Sequence, residues 1–222
     1  AVLLAERVEA QRGPVAAFPS RVPASQFKDY VDDASGVARR LARPMPQRPY
    51  RQTRLGTLFH TWVEHRSGVS GSGDLVDSFG FELDAADGIS DVELADLDRL
   101  KGIFERSEWG SLAPEAVELE LHLPFDDRLV VCKLDAVYRR GDRWEIVDWK
   151  TGKAPKTALD LEQKTYQLAL YRLAFAEWKG IDPATVDAVF FFVADDRIIR
   201  PEVFPERDDL LALWRESRAA LN

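Results

Sequence analysis

Residues Leu134 to Lys153 read LDAVYRRGDRWEIVDWKTGK, and the fold turns on this stretch. Two apolar, β-branched runs flank an Arg-Gly-Asp turn, the pattern of a β-hairpin. With Gly141 and Asp142 as the central turn residues, Asp135 lies directly across from Asp148. Side chains along a strand alternate faces, so Lys150 shares the face of Asp148. Facing carboxylates on neighbouring strands repel. At about 5 Å and an effective dielectric of about 20 that repulsion costs roughly 3 kcal/mol. Val130, Val131, Leu134, Val137, Ile146 and Val147 give both strands a buried character, where an unpaired carboxylate is costlier still. Lys150 supplies one compensating charge, and Lys133 falls opposite it in the same register. One lysine does not neutralise two aspartates, whereas a divalent cation between them turns repulsion into binding. The hairpin is therefore a metal-site signal.

The rest of the composition bounds the class. The chain has 222 residues, 45% hydrophobic and 10% aromatic, enough for one domain with a substantial core. No apolar run approaches the length of a membrane span, and no signal peptide opens the chain. The first residue is Ala and not Met, as in a piece of a longer protein. A single cysteine, Cys132, excludes an internal disulfide and any multi-cysteine zinc or iron–sulfur site, and it agrees with a cytoplasmic location. A net charge of −8 and a pI near 5.0 argue against a protein that coats nucleic acid indiscriminately. The charge is uneven, however: Arg39, Arg40, Arg43, Arg48, Arg51 and Arg54 follow one another with no acid between them.

Along the chain, residues 1–24 read as an extended lead-in, and Ser25 is placed to cap a helix through about Leu41, with Phe27, Tyr30, Val31, Val37 and Leu41 inward. Three prolines keep Arg43 to Tyr50 extended. A second helix is expected from about Leu55 to Arg66, followed by a Gly/Ser-rich loop over residues 67–73. Ser90 caps a third through about Glu105, with Val92, Leu94, Leu97, Leu100, Ile103 and Phe104 as its apolar set. Strands are expected at about 116–123, 129–139 and 143–149. A long helix from about Leu159 to Trp178 comes next, then strands at about 186–194 and 197–204 turning on Asp195-Asp196, and a terminal helix opened by Asp208 and Asp209. This order gives an α/β fold with a central mixed sheet of about five strands flanked by helices. Residues 1–54 form an arm and helix with the Arg/Pro-rich segment, and residues 55–222 form the core, within one domain overall.

Two further constellations bear on chemistry. Gly56, His60 and Glu64 recur at four-residue spacing and share one helix stripe, where a glycine admits close approach by backbone or phosphate. Gln167 and Tyr171 repeat that spacing on the long helix. Taken singly, each pattern is as well explained by ordinary packing. Lys153, Lys156 and Lys164 add positive charge around the loop and helix after the hairpin. The chain has no phosphate-binding Gly-x4-Gly-Lys-Ser/Thr loop, no dinucleotide-binding glycine motif and no Gly-x-Ser-x-Gly elbow, which argues against nucleotide hydrolysis and serine-nucleophile chemistry.

In combination these motifs resemble the RecB-type nuclease domains of the PD-(D/E)xK superfamily, most closely the C-terminal nuclease modules of bacterial helicase–nucleases of the AdnB, AddA and RecB type. The resemblance rests on Gly56-x3-His60-x3-Glu64, Leu134-Asp135, Val147-Asp148-Trp149-Lys150-Thr151-Gly152-Lys153 and Gln167-x3-Tyr171, in that order over residues 56–171. It implies a PD-(D/E)xK nuclease core. It also implies divalent-ion binding by His60, Asp135, Asp148 and the backbone carbonyl of Trp149. Lys150 would position or polarise the attacking water, and Gln167 and Tyr171 would orient the substrate strand or Lys150. Gly56 would support the first helix, Glu64 that helix or the metal's outer shell, and Glu118 or Glu120 would lie near the site. Arg51, Arg54 and Lys153, with Gln167 and Tyr171, would contact the nucleic acid, the arginines in a salt-dependent way.

Oxygen-rich ligands with one imidazole suit Mg²⁺ or Mn²⁺. The implied activity is metal-dependent phosphodiester hydrolysis in DNA, single strands preferred, beside a helicase motor in the same chain or complex during break repair. The rival readings are a DNA-binding module of the same fold without catalysis, and a stand-alone endonuclease. The chain departs from the family pattern in lacking a proline before the first acidic residue. It also carries Cys132 where many relatives have glycine, and it has no set of four cysteines for an iron–sulfur cluster. Its N-terminal arm must then be held by packing.

Overall fold

The computed structural model describes residues 19–42, 51–68 and 90–219, with residues 51 and 52 described in their backbone alone. Along the chain lie β1 (Arg21–Pro23), α1 (Phe27–Ala42), α2 (Arg51–Ser67), α3 (Asp91–Arg106), β2 (Ala116–Phe125), β3 (Arg128–Arg140) and β4 (Arg143–Lys150). They are followed by α4 (Ala158–Lys179), β5 (Val186–Phe192), β6 (Arg197–Ile199) and α5 (Arg207–Ala219). The extended Arg/Pro segment expected over Arg43 to Tyr50 lies outside the described residues, as does the Gly/Ser loop after residue 68 and the lead-in before residue 19.

Among the described residues, β3 is the spine of a mixed six-stranded sheet. β2 runs antiparallel along one of its edges, from Phe125 opposite Arg128 to Ala116 opposite Val137. Because β2 holds that edge throughout, β1 and β4 must share the other. β1 lies parallel to Leu129–Val131, and β4 lies antiparallel to Ala136–Arg140 in the register that puts Val147 across from Ala136. Between these two partners, residues 132–135 of β3 face a fork in the sheet. β5 pairs in parallel with β4, and β6 antiparallel with β5.

Two layers of side chains cover the sheet. One holds Phe27, Tyr30, Leu134, Val137, Leu168, Phe175, Phe190 and Trp214, drawn from α1, α4, α5 and the strands. The other holds Phe59, Val63, Leu97, Leu100, Phe104, Ala136, Tyr138, Val147 and Trp149, with α2 and α3 on that side. Strict alternation breaks in two adjacent strands at one level. Leu134 and Ala136 are two residues apart yet lie in opposite layers, as do Leu119 and Val117 on β2. The residues at the break are Asp135 and Glu118, and Glu118 has a left-handed backbone with φ of 48°. A non-glycine residue there is strained, and such strain concentrates at functional sites.

The described part of the N-terminal segment, residues 19–42, packs against the core. Phe27 stacks on Trp214 at 5.7 Å and meets Phe125 edge-on at 5.9 Å. Full burial of such a ring is worth about 1.5–3 kcal/mol. Cys132 is buried, and its Sγ faces the Leu170 carbonyl of α4 at 3.7 Å.

Several boundaries differ from the sequence expectation. The sheet has six strands and not about five, because three-residue β1, ending on Pro23, carries no legible alternation. α1 begins at Phe27 after a 3-10 turn over Ala24–Gln26, so Ser25 does not cap it, and Leu41 is exposed. α2 starts four residues before Leu55. In α3, Val92 and Leu94 are exposed while Glu93 is buried, because the Ser90–Glu93 capping box takes the first turn. β6 ends at Ile199 and β5 at Phe192, where a 3-10 turn carries the chain to a left-handed Asp196.

Candidate active site

The hairpin forms as its turn dictates. Gly141 takes a φ of 64°, and the ladder closes from Arg140 opposite Arg143 up to Ala136 opposite Val147. One position further, the Asp135 side chain takes over: its Oδ2 accepts the Trp149 backbone N–H at 2.7 Å. The strands part there, and β1 enters on the far side of the opening.

α2 closes the opening from the α2–α3 layer. His60 Nδ1 lies 3.4 Å from Glu118 Oε1 and 3.6 Å from Asp135 Oδ1, and Nε2 lies 3.2 Å from the Trp149 carbonyl oxygen. His60, Glu118 and Asp135 can each offer one ligand atom, all within 4.8 Å of one another. Gly56, one turn before His60, lets α2 pass the loop after β4, since a Cβ there would sit 3.2 Å from Thr151 Oγ1. That loop is held in turn by Asp195, whose Oδ2 accepts the Ala154 N–H at 2.8 Å.

From the other layer, α4 reaches the same cleft. Gln167 Nε2 donates to Asp148 Oδ1 at 2.7 Å and stands 2.7 Å from the Tyr171 hydroxyl. Asp148 Oδ2 pairs with Lys150 Nζ at 2.7 Å. Asp148 thus lies beside the three-residue group, engaged by Gln167 and Lys150. The cleft encloses about 500 Å³ and is lined by the groups named here, with Ser25, Thr53, Thr57, Lys133 and Thr151.

The electrostatics follow from this geometry. Burial works against a charged His60, but Asp135, Glu118 and Asp148 outweigh it and raise the imidazole to about 9. Burial raises the Asp135 carboxyl, with His60 opposing and Asp148 adding to the rise. Glu118 is lowered: burial opposes its charge, and hydrogen bonds from His60 and Lys133 overcome that. Lys150 is raised against its burial by Asp148 and Asp135, so it stays an ammonium. Burial lifts the Tyr171 phenol well above its ordinary range.

His60, Asp135, Trp149, Asp148, Lys150, Gln167 and Tyr171 therefore line one cleft. The structure distinguishes Glu118, which lines it, from Glu120, which makes an exposed pair with His122 at 2.9 Å. The reversal of faces at Glu118 brings it in, and the plain alternation of β2 gives no hint of that. The sequence-predicted nucleic-acid contacts are more dispersed. Arg54 is committed to Glu93 at the start of α3, Lys153 is exposed on the loop after β4, and the Arg51 side chain lies outside the described residues. Glu64 does not line the cleft and acts on Lys133 through its charge.

A divalent cation fits the residues present. Two carboxylates, an imidazole and the Trp149 carbonyl converge, and hard oxygen donors with one nitrogen suit such an ion.

Comparison with solved structures finds the same fold. A candidate exonuclease from Eubacterium rectale superposes with a TM-score of 0.57 at 13% identity, over 91% of this chain and 77% of that one. The protein SSO0001 gives a TM-score of 0.40 at 14% identity, over 100% and 86%. At these identities the first likeness bears on fold alone, and the second is too loose to carry an argument. Comparison with curated proteins found no match. The family model of the PD-(D/E)XK nuclease superfamily matches residues 34–221, which include every cleft residue but Ser25, and the chain belongs to that superfamily.

Proposed function

We propose that this chain is a metal-dependent DNA nuclease that hydrolyses phosphodiester bonds. The observation that carries this reading is the convergence of His60, Glu118 and Asp135 beside an Asp148–Lys150 pair at a fork in the sheet. Mg²⁺ or Mn²⁺ held by His60, Asp135 and the Trp149 carbonyl, with Glu118 or Asp148, would supply Lewis acidity towards a phosphoryl oxygen and a bound water.

The chain's own groups do the rest. His60 would have to be neutral to serve as a ligand. Gln167 fixes Asp148 from the α4 side, and Tyr171 anchors the Gln167 amide, so the Asp148 carboxylate is oriented before substrate arrives. Lys150 remains protonated, which suits it to donate to the attacking water or to a phosphoryl oxygen, and unsuits it as a general base. A cleft of about 500 Å³ is large enough for a nucleotide-sized group, and the reading takes a single strand as substrate. The ordered His60, Asp135, Asp148–Lys150 and Gln167–Tyr171 motifs support a place beside a helicase motor, in the same chain or complex, in the cytoplasm during break repair.

The test is cleavage of end-labelled single- and double-stranded DNA with Mg²⁺ or Mn²⁺, with and without chelator, beside Asp148→Ala and Lys150→Ala. Metal-dependent cutting lost in both variants is the expected result. DNA binding without cutting in either metal would leave a silent binding module, and cutting that survives Asp148→Ala would move the active site elsewhere.

A further inference from the structure

Lys133 has no assigned task in the reading above, yet it lies in the cleft. It sits on β3 two residues before Asp135, and its Nζ is 2.6 Å from Glu118 Oε2. That contact spends one of three ammonium donors. The side chain is still 61% exposed, against 35% for Lys150, which leaves Lys133 accessible from solvent on the cleft lining.

A charge count shows what it adds. Among the described residues, the ionisable groups lining the cleft, apart from His60 and the phenol of Tyr171, are the carboxylates of Glu118, Asp135 and Asp148 and the ammoniums of Lys133 and Lys150. Together they leave one negative charge. With a divalent ion bound and His60 neutral, these groups would carry one positive charge, the complement of a single phosphodiester. Without Lys133 the same loaded set would be neutral. Lys150 has the same kind of pairing, with Asp148, but lies deeper than Lys133 and faces the reacting group and not the neighbouring backbone in this reading. Glu64 lies within electrostatic reach of Lys133 but does not line the cleft.

We propose that Lys133 is a substrate-positioning residue, bridging Glu118 and a backbone phosphate of the bound DNA strand at the mouth of the cleft. This rests on the nuclease reading for its ligand and adds a contact that the reading does not contain. The hydroxyls of Ser25 and Thr53 line the same cleft and offer neutral donors to the same strand, whereas that of Thr57 donates to the Thr53 carbonyl.

The experiment is equilibrium binding of a fluorescein-labelled single-stranded oligonucleotide to the full chain in Ca²⁺, across 50–200 mM salt on the order of the range where phosphate contacts show. Wild type, Lys133→Ala and Lys133→Arg are compared, and Ca²⁺ binding without DNA is measured by calorimetry. In Lys133→Ala the slope of log affinity against log salt should fall by about 0.7–1, the loss of one phosphate contact, and Lys133→Arg should restore it. An unchanged slope overturns the proposal, and so does a loss of Ca²⁺ affinity with the slope intact, which would leave Lys133 only a clamp on Glu118. If the slope falls as expected but wild type cuts no DNA in Mg²⁺ or Mn²⁺, this contact stands and the hydrolytic reading falls. Absence of DNA binding by wild type overturns both.

Discussion

The carboxylate of Asp135 accepts the backbone N–H of Trp149 at 2.7 Å, at the level where the β3–β4 ladder stops. One side chain therefore ends the ladder and, through its other oxygen, faces His60. Structural and ligand roles can be separated by substitution. Asparagine keeps an oxygen that accepts the Trp149 N–H, whereas alanine leaves that donor buried and unpaired. Asp135→Ala should lose about 1–3 kcal/mol of stability, and Asp135→Asn should lose little or none. Cleavage should fall about 100-fold or more in both. Thermal unfolding without metal, set beside cleavage rates, checks the split; equal destabilisation of the two variants would refute it.

Metal binding should depend steeply on pH. His60 is raised to about 9 by Asp135, Glu118 and Asp148 against the effect of burial, and a ligating imidazole must be neutral. Between about 7, to which the Asp135 carboxyl is raised, and about 9, apparent affinity should then rise by about tenfold per pH unit with release of one proton, and more steeply below 7. The metal-free fold shows the opposite trend. A folded value above the ordinary 6.5 contributes stability that is full below 6.5 and lost as pH rises through 9. Calorimetry in buffers of different ionisation enthalpy reads the proton, and His60→Ala should abolish it.

Gln167 and Tyr171 should act as a unit on Asp148. The Tyr171 hydroxyl meets the same Gln167 nitrogen that holds Asp148 Oδ1. Gln167→Ala should reduce kcat by about 10–100-fold with a smaller change in KM, and Tyr171→Phe by less. The double variant should be little worse than Gln167→Ala alone, because the phenol works through the amide. Additive losses in the double-mutant cycle would show that Tyr171 touches substrate independently.

Much of this site was legible in the sequence because its determinants are local. The Arg-Gly-Asp turn sets the hairpin register, and helical spacing aligns Gly56 with His60 and Gln167 with Tyr171. The expected clash between Asp135 and Asp148 is relieved by different partners, His60 for one and Lys150 with Gln167 for the other. What remained hidden depends on contacts distant in sequence. The alternation of β2 gives no sign that Glu118 adopts a left-handed backbone and joins the His60 side. Likewise, the arginine run before α2 reads as a phosphate-binding stripe until Arg54 is seen to meet Glu93, 39 residues on.

That Arg54–Glu93 pair should act on the fold and not on the chemistry. The Arg54 guanidinium, then the Ser90 backbone N–H and hydroxyl, hold the Glu93 carboxyl down to about 2 from an ordinary 4.5. A depressed carboxylate contributes stability that is present above the unfolded value and lost as pH falls through the folded one. The contribution should thus be full above about 4.5 and disappear between there and about 2. Arg54→Ala should melt below wild type at neutral pH, and the gap should close as pH falls through that window. Ser90→Ala should behave similarly, with the loss of a helix cap added at every pH. Thermal unfolding at intervals of about half a pH unit resolves this. A gap between wild type and Arg54→Ala that stays constant down to pH of about 2 would mean that Arg54 acts through packing of its stem and not through its charge.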